Sequence, residues 1–349
     1  MALRFSYCPY RLLFKHPFAT SHGVRDGTDS VFVRLEEDGT VGYGEATLPP
    51  YLKESPASVI ERLTSIAQRG ISSAEQLMSD LEALPELSDD ANGCRAALHT
   101  ALIDLLGKRS DRTAAQVIGS SEAKSPMALM TIGISAIDEM EMKLAELPRS
   151  GGLKVKVDGH HSIKQIERIK QLDNRPLFID ANQGLQRVDE AMELIAKAGM
   201  DRLIGMEQPF SGATDELNQK LSERSGITVY GDESIQNMSG LLAKHSCFGG
   251  VNLKLMKCGG LDRTKAMSDR ARELGLRVML GSMSESSLGC TAMATLMGEA
   301  DLVDLDGPWL IKNDPFVGIT MEDGMLHRPG GPGIPARLVA DLWFIQIGA

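Results

Sequence analysis

The chain has 349 residues, enough for one large domain or two ordinary ones, so a full-size core needs no disulfide or metal staple. Its formal charge is −10, with 37 Lys and Arg against 47 Asp and Glu, which excludes the basic footprint of a nucleic-acid binder and argues against docking on an anionic membrane. Cys8, Cys94, Cys247, Cys258 and Cys290 are scattered and form no CxxC pair, so they read as free thiols of a cytoplasmic protein.

At the N-terminus, Arg4 and Arg11 break any apolar run, and the segment reads as no signal peptide. Residues 30–46 read as a hairpin, with alternating Val31, Val33 and Leu35 and a tight turn at Asp38-Gly39. Gly42 and Gly44 inside it read as ordinary turn-and-strand glycines. Residues 56–70, 73–87 and 91–107 carry apolar residues at helical spacing. The first 125 residues therefore predict a small sheet followed by helices, an α+β unit.

From about residue 126 short apolar runs alternate with helical stretches. The runs are ALMTIGI, LKVKV, PLFIDAN, LIGMEQP, TVYGDES, GVNLKL, RVMLGSM and LVDLD. Segments 161–172, 187–199, 213–224, 261–274 and 286–298 lie between them as helices. Eight strands in units of roughly 25 residues predict a closed (β/α) barrel rather than an open sheet. No strand-GxGxxG-helix unit supports the doubly wound alternative. The tail, 321–349, breaks this rhythm with RPGGPGIP and is expected to return to the N-terminal unit.

Active sites of such barrels lie at the C-terminal strand ends. The runs end successively in Lys154 and Lys156, Asp180, Glu207, Asp232, Lys254, Ser282 to Ser287, and Asp304 with Asp306. Asp180, Glu207 and Asp232 are 27 and 25 residues apart, each about one βα unit. Three carboxylates facing one point repel unless a cation joins them, and hard oxygen donors suit Mg²⁺. Lys154 and Lys156 stand two apart on a strand and share a face, while Leu153, Val155 and Val157 take the other. In a parallel barrel that shared face is the interior. Two ammonium groups so close, beside a metal, are each expected to disfavour the other's proton and to bring the lysine pKa down from about 10.4 toward a value useful to a base. Lys254 lies across the barrel, so a substrate between would meet one amine on each side.

At these residues the chain resembles the enolase superfamily, in its muconate-lactonizing subgroup. The matching features are the KxK of LKVKV, the acids of FIDANQG, GMEQP and YGDES, and the lysine of VNLKLMKCGG. GYGEA, AALHTALIDLLGK, NDPFVG and PGGPG extend the match over nearly the whole chain. The resemblance implies a (β/α)₇β modified TIM barrel over 126–320, carrying the catalytic site. An α+β capping domain of 1–125, completed by 321–349, would close it. It implies one Mg²⁺ per subunit on Asp180, Glu207 and Asp232. Lys156 and Lys254 would be acid/base catalysts on opposite faces of the substrate, and Lys154 would help stabilise the enolate and depress the pKa of Lys156. Lys257 resembles the less specific lysine of its stretch.

The eighth strand narrows the activity. Its VDLDGPW looks like the Asp-x-Asp by which dipeptide epimerases of the superfamily hold a substrate α-ammonium, here Asp304 and Asp306. Ser282, Met283 and Ser284 would position the substrate's C-terminal carboxylate. The implied reaction inverts the Cα of the C-terminal residue of a dipeptide by two-base 1,1-proton transfer through a metal-stabilised enolate. The leading substrate is of the L-Ala-D/L-Glu type, as in enzymes that recycle murein peptides. Muconate cycloisomerisation, o-succinylbenzoate synthesis and N-acylamino acid racemisation stay open, but Asp304 and Asp306 weigh against substrates without an ammonium. A non-catalytic metal-binding barrel is the remaining class. Specificity would come from cap loops 18–29 and 48–54. There Arg25 would pair with an acidic side chain if it points inward; Lys53, Thr20 and His22 are further lining candidates. Neutral or hydrophobic dipeptides are the competing substrates. The expected partner is thus a small dipeptide, with no nucleic acid and no membrane, and homo-oligomerisation is left open.

Overall fold

The computed structural model describes residues 2–20, 23–121, 125–158 and 162–348. The N-terminal sheet is antiparallel: β1 (Arg4–Thr20) pairs with β2 (Gly23–Glu37), and β2 with β3 (Thr40–Leu48). The β2–β3 turn places Asp38 and Gly39 at φ +48° and +79°. This is the doubly left-handed backbone that the Asp-Gly pair predicts. β2 begins earlier than the sequence shows, because Gly23–Asp29 pairs with the far end of β1.

Three helices follow, with a short fourth at Ala114–Ile118. α1 (Pro56–Ala67) starts on a capping box from Ser55 and Ser58. α2 (Ala74–Asp80) is shorter than the predicted 73–87: the chain continues in single 3₁₀ turns, and Pro85 opens one of them. α3 (Asn92–Arg109) packs against β3. Gly42 and Gly44 are therefore not ordinary strand glycines. A Cβ on Gly42 would lie 2.1 Å from the Ala101 carbonyl oxygen, and one on Gly44 would lie 1.9 Å from that of Ala97. The strand and helix backbones touch there, and only glycine allows it.

Eight parallel strands close the barrel in the order of the chain: β4 (Met127–Ile132), β5 (Gly152–Lys156), β6 (Leu177–Asp180), β7 (Leu203–Glu207), β8 (Val229–Gly231), β9 (Gly250–Lys254), β10 (Arg277–Gly281) and β11 (Leu302–Asp304). These are the eight apolar runs. Helices Met140–Glu146 and Met238–Lys244 were not foreseen; both are short and carry little periodic signal. Leu153, Val155 and Val157 are buried toward Ile163, Ile166 and Ile169 of helix Ser162–Leu172. That outward packing turns Lys154 and Lys156 inward. Below them Leu129, Phe178, Tyr230, Met279 and Leu302 fill the barrel as a separate core. Phe178 and Tyr230 meet edge to face at 5.3 Å, and a Cβ on Gly250 would come within 2.5 Å of the Tyr230 ring. This plug is the floor on which the strand ends stand.

The C-terminal strand Ile345–Gln346 pairs with β1 through Ser6↔Gln346 and Tyr7↔Ile345. The tail reaches it past α3, where Asp104 accepts the Ile334 amide at 2.8 Å. No helix among the described residues is long and apolar enough to cross a membrane.

The β3–α3 contact gives a direct test. Gly44→Ala should lower the unfolding free energy by about 1–3 kcal/mol by overpacking, read from urea titrations. A variant as stable as the parent would show that helix and strand can part.

Candidate active site

Register brings the predicted strand ends to one level. Lys156 stands beside Asp180, and Asp180 beside Glu207; across the barrel Gly281 stands between Lys254 and Asp304. They meet at a cavity of about 850 Å³ between barrel and cap. Lys154, Lys156, Lys254, Asp232, Asp304 and Asp306 line it. Asp180 and Glu207 lie just beneath, fully covered by the lysines.

The ion pairs interlock. Lys154 Nζ reaches Asp304 at 2.6 Å, Glu207 at 2.9 Å and Asp180 at 3.0 Å. Lys156 Nζ lies 2.5 Å from Asp180. Lys254 Nζ donates to Asp232 Oδ2 at 2.7 Å, while Lys257 Nζ donates to Asp232 Oδ1 at 2.5 Å and to the Asp232 and Asn252 carbonyl oxygens. Asn252 Nδ2 in turn donates to Glu207 Oε1 at 2.9 Å. Thr131 ties down the Asp-x-Asp pair: its amide donates to Asp306 at 2.6 Å and its hydroxyl to Asp304 at 3.2 Å.

Burial disfavours the charge on Lys154, but Asp304, Glu207 and Asp180 outweigh it and hold the ammonium well above its ordinary pKa. Lys254 is raised in the same way by Asp232 and Glu207. Each amine answers to carboxylates in contact before it answers to the next amine. The acids divide into two groups. Despite burial, Asp180 is drawn down to about 2 by Lys156 and Lys154, and Asp232 falls well below its usual range beside Lys254 and Lys257. Burial and Asp180 push Glu207 up to about 8; burial and Asp304 push Asp306 up to about 7. Glu207 and Asp306 are thus short of positive charge.

The fit to a metal rests on that shortage. Asp180, Glu207 and Asp232 end neighbouring strands and offer hard oxygens. Glu207 Oε2 receives no hydrogen bond, only the ion pair with Lys154. Among the described residues no three His, Cys, Asp or Glu side chains are gathered tightly around one point, because lysine ammoniums stand between the carboxylates. A divalent cation on this trio would take the place those ammoniums now hold and relieve Glu207.

The cap supplies the roof. Arg25 lines the cavity, its guanidinium 5.6 Å from the Phe14 ring and 6.0 Å from Tyr51, with Thr28 Oγ1 accepting at 3.2 Å. Its neighbour Asp26 pairs with Arg11 instead. Burial lowers the pKa of Arg25. Lys53 stands at the rim, exposed and paired with Asp90. Ser282, Met283 and Ser284 border the cavity, with Ser284 at φ +64°. His22 and the Thr20 side chain lie outside the described residues.

Several participants were missed in the sequence. Asn252 stands two residues before Lys254, so the strand period already placed it inside. Tyr51, whose hydroxyl donates to Met283 Sδ at 3.0 Å, sits in a cap loop without periodicity. Lys257 belongs to a single helical turn, Leu255–Cys258, which turns it back under Asp232.

A closed β/α barrel with lysines and carboxylates at its mouth, under a cap drawn from both chain ends, defines a capped barrel of the kind that carries its site at the strand ends. The comparisons identify it. Residues 9–119 match the mandelate racemase / muconate lactonizing enzyme N-terminal domain, and residues 139–341 match the enolase C-terminal domain-like family. The chain belongs to the enolase superfamily, in its mandelate racemase / muconate lactonizing branch. It is 33% identical over 333 residues to the L-Ala-D/L-Glu epimerase of Bacteroides thetaiotaomicron, covering 95% of this chain and 87% of that one. It is 29% identical over 363 residues to the hydrophobic dipeptide epimerase of Flavobacteria bacterium strain MS024-2A, covering 98% and 100%. The dipeptide epimerase of Cytophaga hutchinsonii, solved with Mg and D-Ala-L-Val, superposes with a TM-score of 0.89 at 24% identity, covering all of both chains.

Lys257 should prove structural to this site. Lys257→Met removes the ammonium that donates to Asp232 Oδ1 and breaks a buried ion pair, which should cost about 3–5 kcal/mol of unfolding free energy. Lys53→Met at the exposed rim should leave the urea midpoint unchanged. Equal effects of the two substitutions would contradict the burial of Lys257.

Proposed function

We propose that this protein is a Mg²⁺-dependent dipeptide epimerase, inverting the Cα of the C-terminal residue of L-Ala-D/L-Glu or a related dipeptide. The observation that carries the reading is the pairing of Lys156 and Lys254 on opposite sides of one cavity with Asp304 and Asp306 at its edge. One-sided proton chemistry needs only the first lysine, and a substrate without an ammonium needs neither aspartate.

Asp180, Glu207 and Asp232 would hold the ion. When bound, Mg²⁺ neutralises the negative charge that builds on the substrate carboxylate as the α-proton leaves. The protein's own groups do the rest. Asp304 and Asp306 hold the substrate ammonium and fix which carbon lies between the lysines. Lys156 or Lys254, whichever is unprotonated, takes the proton from one face; the other ammonium returns a proton to the opposite face. Lys154, which Asp304 also pairs at 2.6 Å, would keep its charge and stabilise the developing oxyanion. Ser282, Met283 and Ser284 position the C-terminal carboxylate. Cap residues 1–125 with 321–349, and barrel residues 126–320, form the two working parts.

Arg25 favours an acidic second residue over a hydrophobic one. Among the described residues its contacts are two aromatic rings and one hydroxyl, with no carboxylate paired to it. A bound glutamate side chain would satisfy it.

The reading is tested by incubating the protein with L-Ala-L-Glu and Mg²⁺ in D₂O. Deuterium should enter the Glu Cα with inversion, and EDTA should stop it. Lys156→Ala and Lys254→Ala should each abolish inversion, while exchange on one face survives in the singly substituted protein. No exchange across a dipeptide library would refute the activity, and normal inversion by both variants would refute the two-base assignment.

Arg25→Met should lower kcat/KM for L-Ala-L-Glu by at least about 100-fold, as expected when a desolvated charge pair loses one partner, and should lower that for L-Ala-L-Leu far less. Equal losses on both substrates would remove Arg25 from specificity.

A further inference from the structure

The turn that follows β10 rests on a pair of buried carboxyl groups that the proposed chemistry does not use. Glu45 comes from β3 of the cap and Glu285 from the turn itself; both are essentially inaccessible to water. Glu45 is richly served. Thr47 Oγ1 and the Ser286 amide donate to its Oε1 at 2.6 and 3.0 Å, and Ser286 Oγ and the Gly289 amide to its Oε2 at 2.5 and 3.1 Å. Glu285 is poorly served: the Met283 amide donates to Oε1 at 3.2 Å, and Oε2 has no hydrogen-bond partner. Glu45 Oε2 and Glu285 Oε2 border the same gap, since a Cβ on Gly289 would lie 3.0 Å from each.

Two carboxylates cannot share a dry gap as anions without a cation. Burial raises the proton affinity of Glu45 as well, but four donors favour its anion where Glu285 has one, so the proton of the pair falls to Glu285. The charged and titratable groups around the pair agree. Facing Glu285 are Glu45, the more distant Lys254 ammonium and the Cys290 thiol; Asp306 faces that thiol, and Asp314 faces Glu45. Among the described residues no ammonium touches either carboxyl. Burial and Glu45 push Glu285 up to about 8.

We propose that Glu285 is a positioning residue, kept as a neutral acid whose O–H is directed at Glu45, and that this cap-to-barrel link holds the Ser282–Ser284 turn in the shape that meets the substrate. Glu285 Oε1 closes that turn on the Met283 amide while Ser284 takes its left-handed conformation. Through Glu45 the cap sheet clamps the same segment. Loss of the Glu285 proton in mildly alkaline solution sets two anions against each other and opens the turn. The purpose assigned to the turn rests on the epimerase reading; the proton itself does not.

Three measurements test this. The infrared difference between the parent and Glu285→Gln at pH 7 should show a protonated-carboxyl carbonyl band that fades by pH 9. Because the folded protein holds a proton that the unfolded chain releases near pH 4.5, the parent loses stability as pH rises from about 5 to 8. Glu285→Gln should gain in unfolding midpoint relative to the parent over that range. With L-Ala-L-Glu, Glu285→Ala should raise KM about tenfold, as for one buried hydrogen bond left unmade, with a smaller change in kcat. Glu285→Gln should restore most of that KM, since an amide both accepts from Met283 and donates to Glu45. Absence of the carbonyl band, or Gln and Ala variants with the same KM, would overturn the proposal. The infrared and unfolding measurements use no substrate, so failure of the epimerase reading leaves them decisive.

Discussion

The barrel mouth must balance five buried carboxyl groups against four buried ammonium groups. Asp180, Glu207, Asp232, Asp304 and Asp306 stand on one side, and Lys154, Lys156, Lys254 and Lys257 on the other. Desolvating any of these ions alone would cost several kcal/mol, so each must find a partner. Lys154 is spread over three carboxylates, and Asp232 draws in two lysines. The carboxyls left over are Glu207 and Asp306, the two whose affinity for a proton is raised. One belongs to the trio suited to a divalent cation and the other to the pair suited to an ammonium. The electrostatic deficit of the protein thus falls on the two sites where metal and substrate would deliver positive charge.

The rest of the fold keeps this cluster in place. Strand register fixes which acid faces which lysine, and the outward Leu153, Val155 and Val157 stop β5 from rotating. The Phe178–Tyr230 plug keeps the ionic layer from sinking into the barrel. Glycines at 205 and 250 make room for those rings. The second layer of residues is polar for the same reason: Asn252 and Thr131 satisfy carboxylate oxygens that no lysine reaches. Stability and function are therefore not separable here, since the groups that hold the barrel mouth together are those proposed to act on substrate.

Much of this was legible in the sequence because barrels obey two periods. Alternation of strand and helix gave the eight strands, and alternation within LKVKV gave the direction of both lysines. Polar residues ending each apolar run located the mouth. Other features were hidden because they arise from contacts between distant segments. The raised pKa of Lys154 depends on Asp304, a residue 150 positions away. Reasoning within the strand reaches only Lys156. Gly42 and Gly44 looked unremarkable until α3 was laid against them. Lys257 resembles the less specific lysine of its stretch, and only the helical turn Leu255–Cys258 brings it under Asp232. Arg25 was undecided between solvent and pocket. What settled its direction was the pair of rings, Phe14 and Tyr51, that approach it from two separate cap segments.

Arg25 also shows how such a site can discriminate between close relatives. A wholly apolar roof would accept hydrophobic second residues and reject an acidic one only by failing to solvate it. A guanidinium flanked by Phe14 and Tyr51 works in the opposite direction. Its charge is already partly withdrawn from water, as the lowered pKa of Arg25 records, so an apolar side chain placed against it would finish the desolvation and return nothing. A carboxylate would meet it with paired, charge-assisted hydrogen bonds. Sites that must satisfy a buried polar group reject the substrate lacking its partner far more strongly than apolar pockets reject a change in size. On the epimerase reading, selectivity therefore resides in the cap, while the barrel lysines, which touch only the backbone Cα, stay indifferent to the side chain.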